Sequence, residues 1–353
     1  QSVLVHLFSP LSRGLFSRAI MESNPAGFVY RDVKQASAFG EGLVKDLGCA
    51  RPAALRRSDS NNDDDDDRDR GHDHDHNDTA LACLRAANLS DVLAASRKAA
   101  GSAVDIVEAV LAGGKLLDVF LQWVPTSATP DLPVSPLLDL ARIVNRVPTI
   151  IGTNANEGIT FIDASIEKPL SALKYGLLVD AIFGVGTSAT RDIKRAYPWN
   201  LLNATDARPA LGKLLTDYWF RCASARVAAS LLGGPGARVY VYNHSASFGA
   251  AMWPEYHFPF CVGKVCHGAE LPFVFGNSAN WTFTPGEKRL ADRISGLWGA
   301  FVWGETSGNG GWAAWPEYNA STREAMVFQL PASGVSAAPN ALCPLWDRVG
   351  YTH

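Results

Sequence analysis

The chain has 353 residues, of which 47% are hydrophobic and 19% charged, a balance that suits a large buried core. Its net charge is −3, but residues 51–78 hold ten Asp and five Arg and so contribute −5, leaving +2 for the remainder. No basic patch with interleaved aromatics appears and no apolar run approaches the length of a membrane-spanning helix, so neither nucleic acid nor a membrane span is expected.

In residues 1–24, Val3, Leu4 and Leu7 fit one face of a short helix that Pro10 ends. Leu15 and Phe16 are expected to cap a second turn, and residues 18–23 read as a short buried strand. No charged leader or cleavage site precedes them, so no signal peptide is visible. Asp32 to Leu47 suits a helix with Gly48 as its stop. Between Cys49 and Cys83 lies a low-complexity run containing Asp63 to Asp67 and the alternation His72-Asp73-His74-Asp75-His76. Such a tract can chelate zinc or nickel. Nothing in it fixes a coordination geometry, so residues 51–78 read as a solvated, self-repelling loop inserted in the domain, and no metal is expected. Helical patterning resumes from Asp91, and Val119 to Val124 reads as a strand or a pocket segment.

Val147-Pro148-Thr149-Ile150-Ile151-Gly152-Thr153 has the apolar run of a buried parallel strand. The turn after it carries Glu157, at the carboxyl end of a strand where open α/β sheets place their sites. Residues 169–183 and 208–232 read as helices, and Arg238 to Tyr242 as a strand. Next comes the stretch around which the chain is organised, Lys264-Val265-Cys266-His267-Gly268-Ala269-Glu270-Leu271-Pro272-Phe273-Val274-Phe275-Gly276. Gly268 permits a tight bend that presents the imidazole, while Leu271, Phe273, Val274 and Phe275 are expected to pin the loop to a core. A bridge between Cys261 and Cys266 is expected and would stiffen this loop; the alternative is two reduced thiols. Gly286 to Glu305 reads as an amphipathic helix and Met326 to Leu330 as the last strand. Six Asn-x-Ser/Thr sequons, at Asn77, Asn88, Asn203, Asn243, Asn280 and Asn319, together with six cysteines favour a secreted glycoprotein or one of the secretory lumen.

Taken together, four segments resemble the type-B carboxylesterase/cholinesterase family of α/β-hydrolases. They are residues 1–24, the strand and turn Gly152-Thr153-Asn154-Ala155-Asn156-Glu157-Gly158-Ile159-Thr160-Phe161, the His267 loop, and Cys343-Pro344-Leu345-Trp346-Asp347. Asn309-Gly310-Gly311 and Trp315-Pro316-Glu317-Tyr318 resemble the family's late loop. The resemblance implies an α/β fold with a mostly parallel sheet flanked by helices, and it makes residues 1–353 the C-terminal portion of such a domain, with the N-terminal half absent. It also implies a Ser-Glu-His triad in which Glu157 orients the imidazole and His267 is the general acid/base. Residues 1–24 are similar to the segment that follows the Gly-x-Ser-x-Gly elbow, so the serine is expected upstream and the chain by itself is expected to be a catalytically inert fragment. The nearest internal substitute, Gly276-Asn277-Ser278-Ala279-Asn280, lacks the closing glycine. In the family, positions like Cys49 and Cys83, and Cys222 and Cys343, form disulfides. Phe161 matches a position on the acyl side of the substrate pocket, and Thr160 stands where choline-selective relatives place an aromatic. The expected activity is therefore hydrolysis of a small carboxylic ester without cofactor. The alternatives are a non-catalytic adhesion or scaffold domain and a metal-binding secreted protein.

Overall fold

The computed structural model describes residues 1–49, 80–99, 106–111, 121, 123–203, 205–232, 234, 237–242, 252–304 and 315–351. The Asp/His-rich segment 51–78, the sequons at Asn77 and Asn243 and the Asn309-Gly310-Gly311 loop lie outside these residues. Strands β1 (Ala19–Glu22), β2 (Thr149–Asn154), β3 (Ala237–Tyr242), β4 (Ala325–Phe328) and β5 (Gly334–Ser336) form one sheet in the order β1-β2-β3-β4-β5. The first four run parallel, with Ile20 opposite Ile150, Ile150 opposite Arg238 and Tyr240 opposite Met326, whereas β5 is antiparallel to β4.

The helices are α1 (Ser2–Phe8), α2 (Val33–Asp46), α3 (Leu89–Ala99), α4 (Ile106–Leu111), α5 (Glu157–Ser165), α6 (Ala172–Phe183), α7 (Ser188–Ala196), α8 (Arg208–Leu215), α9 (Cys222–Ser230), α10 (Leu271–Val274), α11 (Pro285–Trp303) and α12 (Cys343–Val349). A π-helical turn, Thr216–Arg221, joins α8 to α9. Every residue of β2 is buried, its polar Thr149, Thr153 and Asn154 included, as in a central parallel strand covered on both faces. Alternate side chains of that strand enter different cores. Ile151 joins the larger one, with Leu4, Leu7, Tyr175, Trp219 and Trp346, and Ile150 joins the other, with Phe273, Leu290, Ile294, Trp298 and Phe328. Helices therefore cover both faces of the sheet, the arrangement of an α/β fold.

Several boundaries differ from the sequence reading for identifiable reasons. In α1 it is Leu4, Leu7 and Phe8 that are buried, while Val3 and Leu15 are exposed. α2 begins at a reciprocal capping box in which Asp32 accepts from the Gln35 N–H and the Gln35 side chain accepts from the Asp32 N–H. The stretch expected as one helix over 208–232 is broken by the π turn. Leu121, Trp123 and Val124 belong to no strand. β4 is not the last strand, because the short β5 follows it. α11 starts at a second capping box, between Thr284 and Glu287, and stops at Gly304 with φ +85°.

Three disulfides are present: Cys49–Cys83, Cys222–Cys343 and Cys261–Cys266. The first two are the pairings that the resemblance implies; the third excludes free thiols beside His267. Among the described residues, no helix is long and apolar enough to cross a membrane.

Candidate active site

The carboxyl ends of β1 and β2 converge on one buried carboxylate. β2 ends at Asn154, and two residues of turn bring the chain to Glu157, the first residue of α5. Glu157 was expected in a polar turn. It is instead fully buried at 0% exposure, because the helix starts at once and folds the side chain back under the strand end. At this position the carboxylate also meets the partial positive charge of the helix N-terminus.

Three donors satisfy it. The Asn154 backbone N–H reaches Oε1 at 2.6 Å, the Ser23 hydroxyl reaches the same oxygen at 2.5 Å, and His267 Nδ1 lies 2.6 Å from Oε2. Since a carboxylate oxygen only accepts, the proton of that last pair sits on Nδ1, which leaves Nε2 of the neutral ring as the basic nitrogen. Among the described residues, no hydroxyl is hydrogen-bonded to Nε2.

The loop carrying His267 is strapped to the Glu157 turn. Asn156 N–H donates to the Val265 carbonyl at 3.0 Å, Val265 N–H donates to Asn156 Oδ1 at 3.0 Å, and His267 N–H donates to Thr160 Oγ1 at 3.1 Å. Thr160 is thus a backbone anchor for the histidine. Gly268 follows with φ +85°, a conformation that a side chain at this bend would strain. The Cys261–Cys266 bridge, both of its sulfurs buried, closes the loop on its other side. Of the apolar residues expected to pin the loop, only Phe273 and Val274 are buried. Leu271 and Phe275 are exposed, since the short α10 turns them outward.

The His267 side chain remains 38% exposed. Phe161 and Phe220 flank its ring, with centroids at 5.4 Å and 5.5 Å. Phe161 therefore stands beside the imidazole, and Phe220, which the sequence reading passed over, stands with it. The 620 Å³ hollow between α2 and α3, lined by Asp46, Cys49, Cys83 and Asp91 among others, touches none of these residues.

A second carboxylate lies behind the first. Glu270 is buried, its Oε2 accepts from Asn154 Nδ2, and its Oε1 lies 3.4 Å from the Ser23 hydroxyl. Burial pushes the Glu270 carboxyl up to about 7, the charge of Glu157 adds to the rise, and the Asn154 hydrogen bond opposes it. Burial would lower the His267 imidazole, but the charge and hydrogen bond of Glu157, reinforced by Glu270, outweigh it and hold the ring above its ordinary value.

Ser23, Asn154 and Glu270 were not singled out in the sequence. Ser23 reads there as the last residue of a strand; in the structure it lies just beyond β1 with φ +48°, a left-handed conformation that serine adopts rarely. The signal that was available is the Glu three places after His267, an acid too near a candidate base to be ignored.

A buried carboxylate and a partly exposed imidazole held by its Nδ1 thus sit at the carboxyl ends of parallel strands, where open α/β sheets place their sites. A family model described as the carboxylesterase family matches residues 1–343, and the chain belongs to that family. It is 25% identical over 341 residues to para-nitrobenzyl esterase of Bacillus subtilis (strain 168), covering 93% of this chain and 56% of that protein. It is 23% identical over 365 residues to acetylcholinesterase of Leptinotarsa decemlineata, covering 98% and 51%. The "Crystal protein" of Dictyostelium discoideum is 26% identical over 359 residues, covering 99% and 58%. Among solved structures, a PNB esterase superposes with a TM-score of 0.67 at 20% identity, over 98% of this chain and 61% of that one, a likeness of fold. The chain spans about half the length of the curated relatives it matches.

Proposed function

We propose that this chain contributes the acid and the base of a Ser-Glu-His carboxylic ester hydrolase, and that the nucleophilic serine and the oxyanion donors belong to polypeptide outside these 353 residues. The observation that carries the reading is the 2.6 Å contact between His267 Nδ1 and a wholly buried Glu157. In the forward step Nε2 takes the proton of the serine hydroxyl as its oxygen bonds to the ester carbonyl carbon. Glu157 holds the tautomer that leaves Nε2 free and stabilises the imidazolium that forms. Collapse of the tetrahedral intermediate breaks the carbon–alkoxy bond, and the Nε2 proton leaves with the alcohol. Water, deprotonated by the same nitrogen, then bonds to the acyl carbon; the acyl–serine bond breaks, the acid leaves and the Nε2 proton returns to the serine oxygen. Phe161, with Phe220 beside it, would present an apolar wall to a small acyl group, and the three disulfides support folding in an oxidising secretory compartment, where the sequons would be glycosylated.

The competing reading is a scaffold or adhesion module of the same fold. A buried carboxylate that holds Nδ1 of a partly exposed imidazole favours catalysis, because it leaves Nε2 as the basic nitrogen of the ring. Hydrolysis of a short-chain aryl ester tests the two readings. The full-length polypeptide should turn it over and lose the activity in His267→Ala, while the 353-residue chain alone should do no better than free imidazole. A full-length protein that is inactive on a panel of such esters supports the scaffold reading.

A further inference from the structure

The turn that carries Glu157 is gripped on both sides by the π-helical turn between α8 and α9. On one side Arg221 Nη2 donates to the Ala155 carbonyl at 3.0 Å. On the other, Gly158 N–H donates to Thr216 Oγ1 at 2.9 Å. Thr216 and Arg221 are the first and last residues of the π turn, so one irregular turn brackets Glu157 from residue 155 to residue 158. A regular α-helix would set residues five positions apart differently about its axis, and π turns recur at functional sites.

The guanidinium is itself fixed. Its Nη1 lies 2.7 Å from Asp217 Oδ1, and Asp217 Oδ2 accepts from the Tyr197 hydroxyl at 2.9 Å and from Lys213 Nζ at 3.0 Å. The Tyr197 oxygen accepts in turn from Trp346 Nε1 of α12 at 2.9 Å. The Arg221 and Asp217 side chains are 9% and 2% exposed, so this is a buried ion pair whose removal from one side leaves the other charge stranded. Among the described residues, Arg221 is hydrogen-bonded to neither His267 nor the Glu157 carboxylate. What it touches is the carbonyl two residues before the acid.

We propose that Arg221 is a positioning residue, and that the π turn it closes is the clamp that sets the Glu157 carboxylate against His267. The inference rests on the reading of Glu157 and His267 as acid and base. Its claim is narrower: contacts at Ala155 and Gly158 decide how well that pair forms. The charged groups acting on His267 are Glu157 and Glu270, while Thr160, Phe161 and Phe220 around it are uncharged. Losing the clamp should therefore reach the imidazole through Glu157.

The experiment is a titration of His267 in the full-length polypeptide, followed by NMR of imidazole carbon labelled at Cε1, with thermal melting in parallel. In Arg221→Met the midpoint should fall by about one pH unit, the size of one weakened charge-assisted contact. Thr216→Val should move it in the same direction, and Arg221→Lys should recover most of the shift. A residue that merely supports the fold would lower the melting temperature and leave the midpoint where it was. An unchanged midpoint in Arg221→Met, or in Thr216→Val should the arginine variant not fold, overturns the proposal. A Lys variant as displaced as the Met variant, at equal stability, also overturns it. If instead Glu157→Gln leaves the wild-type midpoint unmoved, the acid–base reading of the site fails, a result separable from failure of the clamp.

Discussion

Gly158 lies against Gly212 so closely that a Cβ placed at residue 158 would fall 2.2 Å from the Gly212 carbonyl oxygen. Helices α5 and α8 cross at this point, and a Cβ at residue 212 would in turn meet Ile159 at 3.0 Å. The approach is what lets the Gly158 N–H reach Thr216, and it fixes the helix whose first residue is Glu157.

Gly158→Ala should therefore destabilise the protein by about 3 kcal/mol, since the obstructing atom is backbone and cannot swing aside. Gly186→Ala is the control: a Cβ there meets nothing within 4 Å, so only the strain of its φ of +69° applies. Denaturant unfolding of both variants measures the difference. Activity per folded molecule should fall in Gly158→Ala alone.

The second carboxylate should make stability depend on pH with a definite sign. The Glu270 carboxyl is raised from 4.5 to about 7, so between those values the folded protein holds a proton that the unfolded chain has released. That contribution is complete below about pH 4.5 and is lost as pH rises through about 7. His267, also raised, acts in the same direction from its ordinary value upward. In Glu270→Gln the denaturant midpoint should decline less between pH 5 and pH 7.5 than in the wild type. Equal declines would mean that Glu270 does not titrate in this range.

The disulfides should contribute unequally. Cys222–Cys343 spans 121 positions and Cys261–Cys266 only 5. In the chain-entropy account the long bridge is worth about 5 kcal/mol and the short one about 2. Replacing Cys222 and Cys343 together by Ala should be severe. Replacing Cys261 and Cys266 should cost little stability and lower activity, because the loop they close carries His267. Paired melting and rate measurements separate the two effects.

How much of this was legible in the sequence depends on the range of the interaction concerned. The β2 run, the helix beginning near Asp32 and the Glu157 and His267 motifs are local patterns and readable as such, whereas the helix read through to Glu305 in fact stops at Gly304. The π turn was not, because the amino-acid periodicity over 208–232 does not announce an added residue in a helical turn. β5 escaped notice because it is three residues long and mostly exposed. α7 was missed although Thr187 caps it, its short run of charged residues offering little apolar signal. Ser23 and Glu270 gain their meaning only when the ends of β1 and β2 and the His267 loop meet, across separations of 134 and 116 positions.

The central claim, that His267 and Glu157 activate a serine, is tested most directly by a fluorophosphonate probe, which phosphonylates activated serine hydroxyls. In the full-length polypeptide the account predicts labelling of one serine, abolished in His267→Ala and slowed less completely in Glu157→Gln, which disturbs the tautomer but leaves the base in place. The 353-residue chain alone should remain unlabelled. Labelling of full-length His267→Ala at the wild-type rate, or stoichiometric labelling of a serine within the 353 residues, Ser278 included, would contradict it.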